Sequence, residues 1–117
     1  NWMEQKNKKE IWKKIWHNEK YEAEYYSGKI RNSKTGHILK TRKKKSRYWY
    51  AKLTLKNYKT REYLVHRLVA MAHHKPYNHK KQVNHNDKNR NNNKADNLSW
   101  VTIKQNIKHR DKQYLNY

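Results

Sequence analysis

Between residues 83 and 109 the chain sets two short β-like runs around a long polar loop and follows them with a helix-like stretch. Val83-Asn84-His85 forms the first run and Asn97-Leu98-Ser99-Trp100-Val101 the second. The intervening residues are rich in Asn, Lys and Arg. Thr102, with Gln105 three positions on, reads as a capping box: the hydroxyl accepts from an orphan helix N–H and the amide reaches back. His85 then lies on or beside a strand, and Asn106 lies one turn into a helix. A hairpin and helix joined in this way can bring a strand histidine and a helix amide towards one point.

The rest of the chain is short of core-forming residues. Only 33% of its 117 residues are hydrophobic, with five Trp, ten Tyr and no Phe. A chain this size buries proportionally little surface, so its core is thin and part of its order is expected to depend on a partner. It carries 30 Lys and Arg against nine Asp and Glu, a formal net charge of +21. Self-repulsion at that level opposes compaction, and a polyanion relieves it by neutralising charge and releasing counterions. Nucleic acid is therefore the expected partner; a codon bias towards Lys and Asn would raise the charge without it. No long run sets basic residues against an apolar helical face, so a membrane surface is not expected.

The sequence has no Cys, which excludes disulfides and thiolate zinc sites. No apolar run is long enough for a transmembrane helix, and the charged opening is no signal peptide. An intracellular setting follows, whether phage, viral, organellar or nuclear. Opening as Asn1-Trp2-Met3, the chain reads as a processed or partial product.

Along the chain, Ile11, Trp12, Ile15 and Trp16 share one face at helical spacing, which predicts an amphipathic helix over residues 4–16. Residues 21–32 should contain a strand, Thr35-Gly36 a turn, and residues 37–40 a further strand. Lys40, Arg42, Lys43, Lys44, Lys45 and Arg47 form an anchor-free basic run, read as an exposed phosphate-tracking loop. Residues 48–55 alternate with period two, putting Trp49, Ala51, Leu53 and Leu55 on one face. Tyr48, Tyr50 and Lys52 take the other, a face suited to stacking on sugars or bases, or to cross-strand aromatic pairing. Residues 61–65 pair back. Val65, Leu68, Val69 and Ala72 then mark a helix over residues 66–73, which Pro76 stops.

Leu64-Val65-His66-Arg67-Leu68-Val69-Ala70, followed by Val83-Asn84-His85, Asp87, Asn92, Asn97-Leu98, Trp100-Val101-Thr102 and Asn106, resembles the HNH endonucleases of the ββα-metal (His-Me finger) superfamily, phage and intron homing type. The resemblance spans about residues 21–109. It implies an α+β fold: a small N-terminal antiparallel sheet with helices, then a ββα-metal HNH unit. It divides the chain into a basic, β-rich nucleic-acid-binding module at 1–62 and a nuclease unit at 63–117. Gly28 fits the family's N-terminal module, but the Ser-Asn pair before that Gly is missing here.

By the same resemblance His85 is the general base of phosphodiester hydrolysis. Asn84 and Asn106 would hold one divalent cation, usually Mg²⁺, which prefers hard oxygen ligands and retains several waters. Asn97 and Asp87 would shape the loop. Arg67, Arg90, His109 and Arg110 join the basic run as expected nucleic-acid contacts, with DNA preferred to RNA. Position 84 is Asp in some relatives, so an all-amide site should bind metal more weakly. Lys88 stands where the family has Gly, and no further DNA-binding module follows His109. These departures favour a rival reading: a catalytically silent HNH-derived component of a large ribonucleoprotein such as a ribosome. The joint presence of His85, Asn97 and Asn106 favours the enzyme.

If the charge serves nucleic-acid binding, affinity should fall steeply with salt. A footprint neutralising about six phosphates gives a log–log slope near −5 on duplex DNA. Fluorescence anisotropy over a salt series measures it, and removal of the 40–47 basic side chains should flatten the slope without changing sequence preference.

Overall fold

The computed structural model describes residues 9–74, 82–102 and 104. Within them eight short strands form three antiparallel sheets, and a single α-helix packs against all three, an α+β fold.

The first sheet contains β1 (Trp12–Ile15), β2 (Asn18–Glu24) and β3 (Ile30–Asn32), in that order. The amphipathic helix expected at 4–16 is absent from its described part, where β1 is a strand; residues 1–8 lie outside the described residues. The physics favours the strand. In a helix Lys9 and Lys13 would stand one turn apart and repel. Ile and Trp suit a pleated, half-buried surface, and β2 offers a ladder of partners from Trp12↔Glu24 to Ile15↔Asn18. A register shift between Lys14 and Ile15 turns Ile15 fully inward. Trp12 stays at the surface, with the Arg31 guanidinium 4.0 Å above its ring.

A buried carboxylate organises the end of this sheet. Glu24 accepts from the main-chain N–H groups of Ile11 at 2.9 Å, Tyr26 at 3.0 Å and Ser27 at 2.9 Å. Burial alone would raise its pKa, but these donors together hold it below the ordinary carboxyl value. The turn it caps ends at Gly28, which sits at a φ of +71°, a conformation open to Gly at little cost.

The second sheet contains β4 (Thr41–Lys43), β5 (Trp49–Thr54) and β6 (Thr60–Leu64). Ala51 and Leu53 of β5 point inward, and the intervening Lys52 is exposed, as the alternation predicts. The strand expected at 37–40 reduces to one bridge between Arg31 and Ile38. Pairing begins instead at Thr41, opposite Ala51, so the basic stretch is partly a strand rather than wholly loop. β4 is an edge strand with every residue exposed, and charge on such an edge discourages pairing with another chain.

Helix α1 (Val65–His73) begins directly at the end of β6. It buries Val65, Leu68, Val69 and Ala72 at helical spacing. The third sheet is the hairpin of β7 (Gln82–His85) and β8 (Leu98–Val101), with His85 opposite Leu98 and Val83 opposite Trp100. A 3₁₀ turn, Ala95–Asn97, leads into β8. Pro76, Gln105 and Asn106 lie outside the described residues; of the helix expected after Thr102 only Lys104 is described, and it is helical.

One buried cluster unites the three sheets, drawing Ile15 and Ile30 from the first, Leu53 from the second and Leu98 from the third around Leu68 and Val69. Polar bonds join these parts as well. The Tyr21 hydroxyl accepts from Thr54 N–H at 3.0 Å, tying the first two sheets together. His73 Nε2 lies 2.8 Å from the Ala23 carbonyl, and Ala95 N–H donates to the Tyr25 carbonyl at 2.8 Å. Among the described residues no helix is long and apolar enough to cross a membrane.

Replacing Glu24 with Gln removes the charge from these bonds and should cost about 1.5–3 kcal/mol in urea denaturation at pH 7. Because the folded-state pKa is depressed, the carboxylate's contribution is present above about pH 4.5 and lost as pH falls through the folded value. The Gln variant should therefore lose less stability than the parent over the same acid range.

Candidate active site

His85 ends β7 and is buried. Its Nε2 lies 2.9 Å from the side-chain oxygen of Asn93. A carbonyl oxygen can only accept, so Nε2 carries the ring proton and Nδ1 keeps its lone pair. Burial is the main influence that lowers the His85 pKa, with Arg90 adding to it; the Asn93 bond and Asp87 act in the opposite sense without prevailing. The ring is therefore neutral near pH 7.

Two further rings pack here. His66, from the first turn of α1, has its centroid 4.6 Å from that of His85. Tyr48, immediately before β5, stacks on His66 at 5.2 Å and on His85 at 6.1 Å. Burial, with His85 and Arg67 nearby, lowers the His66 pKa to about 3. Two adjacent imidazoles held neutral make an apolar wall without charge repulsion. Arg90 closes the outer side: its guanidinium is 4.7 Å from the Tyr48 ring and donates to the Ser46 carbonyl at 2.9 Å.

The loop after His85 holds its shape through side chains, because it has almost no apolar anchor. Asn97 is buried and bonds three ways. Its oxygen accepts from Asp87 N–H at 3.0 Å, and its amide donates to the Asp87 carboxylate and the Asn92 carbonyl, both at 2.9 Å. Asp87 also accepts from the Asn92 amide at 2.9 Å and from Asn89 N–H at 2.8 Å. These donors, Asn92 foremost, depress its pKa. Lys88 occupies the tight turn at a φ of +64°, and its N–H donates to the His85 carbonyl. Positive φ strains an L-residue, and the surrounding amide network holds it there.

Asn84 precedes His85 on β7 and is half-buried; its side chain makes no hydrogen bond to another described residue. Its amide oxygen is thus open to a hard cation. Among the described residues no group of three or more His, Cys, Asp or Glu could hold a metal. That donor set fits an ion retaining most of its waters rather than one enclosed by protein. Asn106, His109 and Arg110 lie outside the described residues.

Of the expected nucleic-acid contacts, Lys40, Arg42, Lys43, Lys45, Arg47 and Lys52 are exposed. Lys44 pairs with Glu62 at 3.1 Å and lies 4.4 Å from the Tyr50 ring. Arg67 lies 5.5 Å from the Trp100 ring. The basic stretch of β4 and the loop after it leads, through Ser46 and Tyr48, directly to the histidine cluster.

Sequence reasoning missed Asn93, Tyr48 as a packing partner of His85, and the pairing of His66 with His85. Asn93 stands in a run of three Asn residues, where no spacing distinguishes the inward-facing one.

Residues 63–108 match the sequence family described as HNH endonuclease. Two proteins of Acanthamoeba polyphaga mimivirus, both named as HNH endonucleases, are similar over most of this chain. One is 41% identical over 98 residues, covering 84% of this chain and 29% of its own length. The other is 35% identical over 106 residues, covering 87% and 26%. The chain therefore spans less than a third of the curated relatives it matches. The solved structure of the HNH homing endonuclease I-HmuI, determined for its DNA binding and cleavage, superposes with a TM-score of 0.74 at 33% identity, covering 88% of this chain and 59% of that one. The buried histidine at the end of β7 and the amide-tied loop after it thus fall inside the segment, residues 63–108, that matches the HNH endonuclease family.

Proposed function

We propose that this chain hydrolyses DNA phosphodiester bonds as a divalent-cation-dependent HNH endonuclease with His85 as general base. The observation that carries the reading is His85 itself: a buried, neutral imidazole whose Nε2–H is committed to Asn93. Nδ1 is then the nitrogen that takes the proton of the attacking water. Asn84, with its uncommitted amide on the same strand, and Asn106 are the residues that would hold the cation. When bound, the cation would neutralise charge on the scissile phosphate and on the departing 3′ oxygen. Asn97 and Asp87 fix the loop that carries Asn93, and the exposed Lys and Arg of residues 40–47 draw in the phosphate backbone.

DNA as substrate is supported by the likeness to I-HmuI, and both mimivirus relatives are named as HNH endonucleases. These names give the enzyme reading its preference over a ribonucleoprotein component. One such site cuts one strand, so a monomer acting once would nick.

Nicking of supercoiled plasmid with and without Mg²⁺ tests the reading directly. His85→Ala should abolish nicking and leave DNA affinity nearly unchanged, because affinity is spread over many basic side chains. Unchanged nicking by that variant removes His85 from the mechanism. Because His85 titrates below the ordinary histidine value, the acid limb of the kcat/KM profile should have its midpoint below pH 6.5. The base is free above that midpoint, and the rate falls as pH drops through it.

The proposed metal ligands have their own test. Two neutral amides should hold Mg²⁺ weakly in the free protein and more tightly once a DNA phosphate joins them. Asn84→Asp adds a carboxylate and should lower the Mg²⁺ concentration for half-maximal nicking; Asn106→Ala should raise it or remove activity. If neither variant moves the Mg²⁺ titration, these residues are not the ligands.

A further inference from the structure

Asn93 is buried in a loop in which Asn89, Asn92 and Asn97 all donate to Asp87. Its side chain instead reaches His85. What keeps it there comes from the other end of the chain. Gly28, in the turn between β2 and β3, is buried directly against Asn93. A Cβ placed on Gly28 would stand 2.8 Å from Asn93 Cβ and 3.2 Å from its carbonyl oxygen, too close for either to remain in place. The same turn holds the loop two residues further on, where Ala95 N–H donates to the Tyr25 carbonyl at 2.8 Å. Glu24, through its bonds to Tyr26 and Ser27, fixes the turn that makes both contacts.

We propose that Asn93 is a positioning residue that sets the tautomer of His85, and that the Gly28 turn of the first sheet holds Asn93 in place. The proposal rests on the assignment of His85 as general base. It makes the N-terminal sheet part of the catalytic apparatus as well as a surface for nucleic acid. Without the Asn93 acceptor, the ring proton of His85 can move to Nδ1, and the nitrogen needed as base is then blocked. A wrongly set tautomer costs a histidine base far more in turnover than in binding. Loss of a supporting hydrogen bond of this kind costs about 10- to 100-fold in activity.

The experiment uses the full chain and four variants: Asn93→Ala, Asn93→Asp, Gly28→Ala and Gly36→Ala. Gly36 has nearly the same backbone conformation as Gly28, at a φ of +74°, but has no atom within 4 Å of the Cβ position. Gly36→Ala therefore reproduces the backbone strain without the push on Asn93. Imidazole ¹⁵N–¹H correlation spectra identify which nitrogen of His85 carries the proton, with no need for activity or metal. In the parent, Asn93→Asp and Gly36→Ala proteins that proton should be on Nε2. In Asn93→Ala and Gly28→Ala it should be shared with or transferred to Nδ1. In the nicking assay these two variants should lose about 10- to 100-fold in kcat with KM and DNA affinity unchanged; Asn93→Asp should move the acid limb of the rate profile to higher pH, because its carboxylate favours the imidazolium, and keep most of the parent rate above that limb. A parent proton on Nδ1, or an Asn93→Ala protein with unaltered tautomer and kcat, overturns the proposal. Equal effects of Gly28→Ala and Gly36→Ala overturn the part assigned to the turn. If the parent never nicks while the tautomers behave as expected, the positioning of His85 stands and the endonuclease reading fails.

Discussion

The structure depends on the buried stripe of one nine-residue helix. None of the three sheets has enough apolar residues to bury its own inner face. The first contributes Ile15, Ala23 and Ile30, the second Ala51 and Leu53, and the third little more than Val83 and Leu98. A two- or three-stranded sheet of that kind is marginal alone in water. Each becomes stable by packing on α1, where Leu68 and Val69 are almost wholly buried. The sheets are therefore coupled through shared side chains, and His66, on the first turn of the same helix, is brought against His85 by the packing that forms the core.

Away from that core, polar bonds take over. The nine acidic residues are few against thirty basic ones, and most of those in the described residues have a structural task. Glu22 pairs with Arg31, Glu62 with Lys44 and Asp96 with Lys94. Glu24 and Asp87 instead cap main-chain N–H groups at two turns, and both turns bear on the loop behind His85. Exposed ion pairs contribute little to stability. The acids that matter most are the two that bond to the backbone, because each satisfies donors that would otherwise cost free energy to bury.

Periodicity made part of this legible. The alternation in β5 and the i, i+3, i+4, i+7 stripe of α1 are each dictated by one buried face, and the sequence pattern identifies both. β1 was misread because Ile11, Trp12, Ile15 and Trp16 fit a helical face as well as a short strand, and the ladder to β2 that decides between them is a tertiary contact. The strand expected at 37–40 failed for a similar reason, since pairing with β5 begins at Thr41. The positions of His85 at a strand end and Asn97 just before the next strand were readable from flanking register. Asn93 was not, because its distinction is that Gly28, sixty-five positions earlier, leaves room for it, and no local pattern encodes a contact made by the absence of a side chain.

A strongly basic surface and a buried neutral histidine make compatible demands here. The cations that attract a polyanion also disfavour a second positive charge nearby, so Arg90 acts with burial to keep His85 neutral. A bound phosphate backbone reverses the sign of that field and favours the imidazolium. In an exposed site this would protonate the ring whenever nucleic acid bound. Salt and water screen exposed charges strongly and buried ones much less, but here the nearest neighbours of His85 are an amide, a phenol ring and a neutral imidazole. The desolvation they impose acts whether or not nucleic acid is bound. Enclosing the histidine in uncharged groups thus lets the surface respond to phosphate while its own protonation is set mainly by the fold.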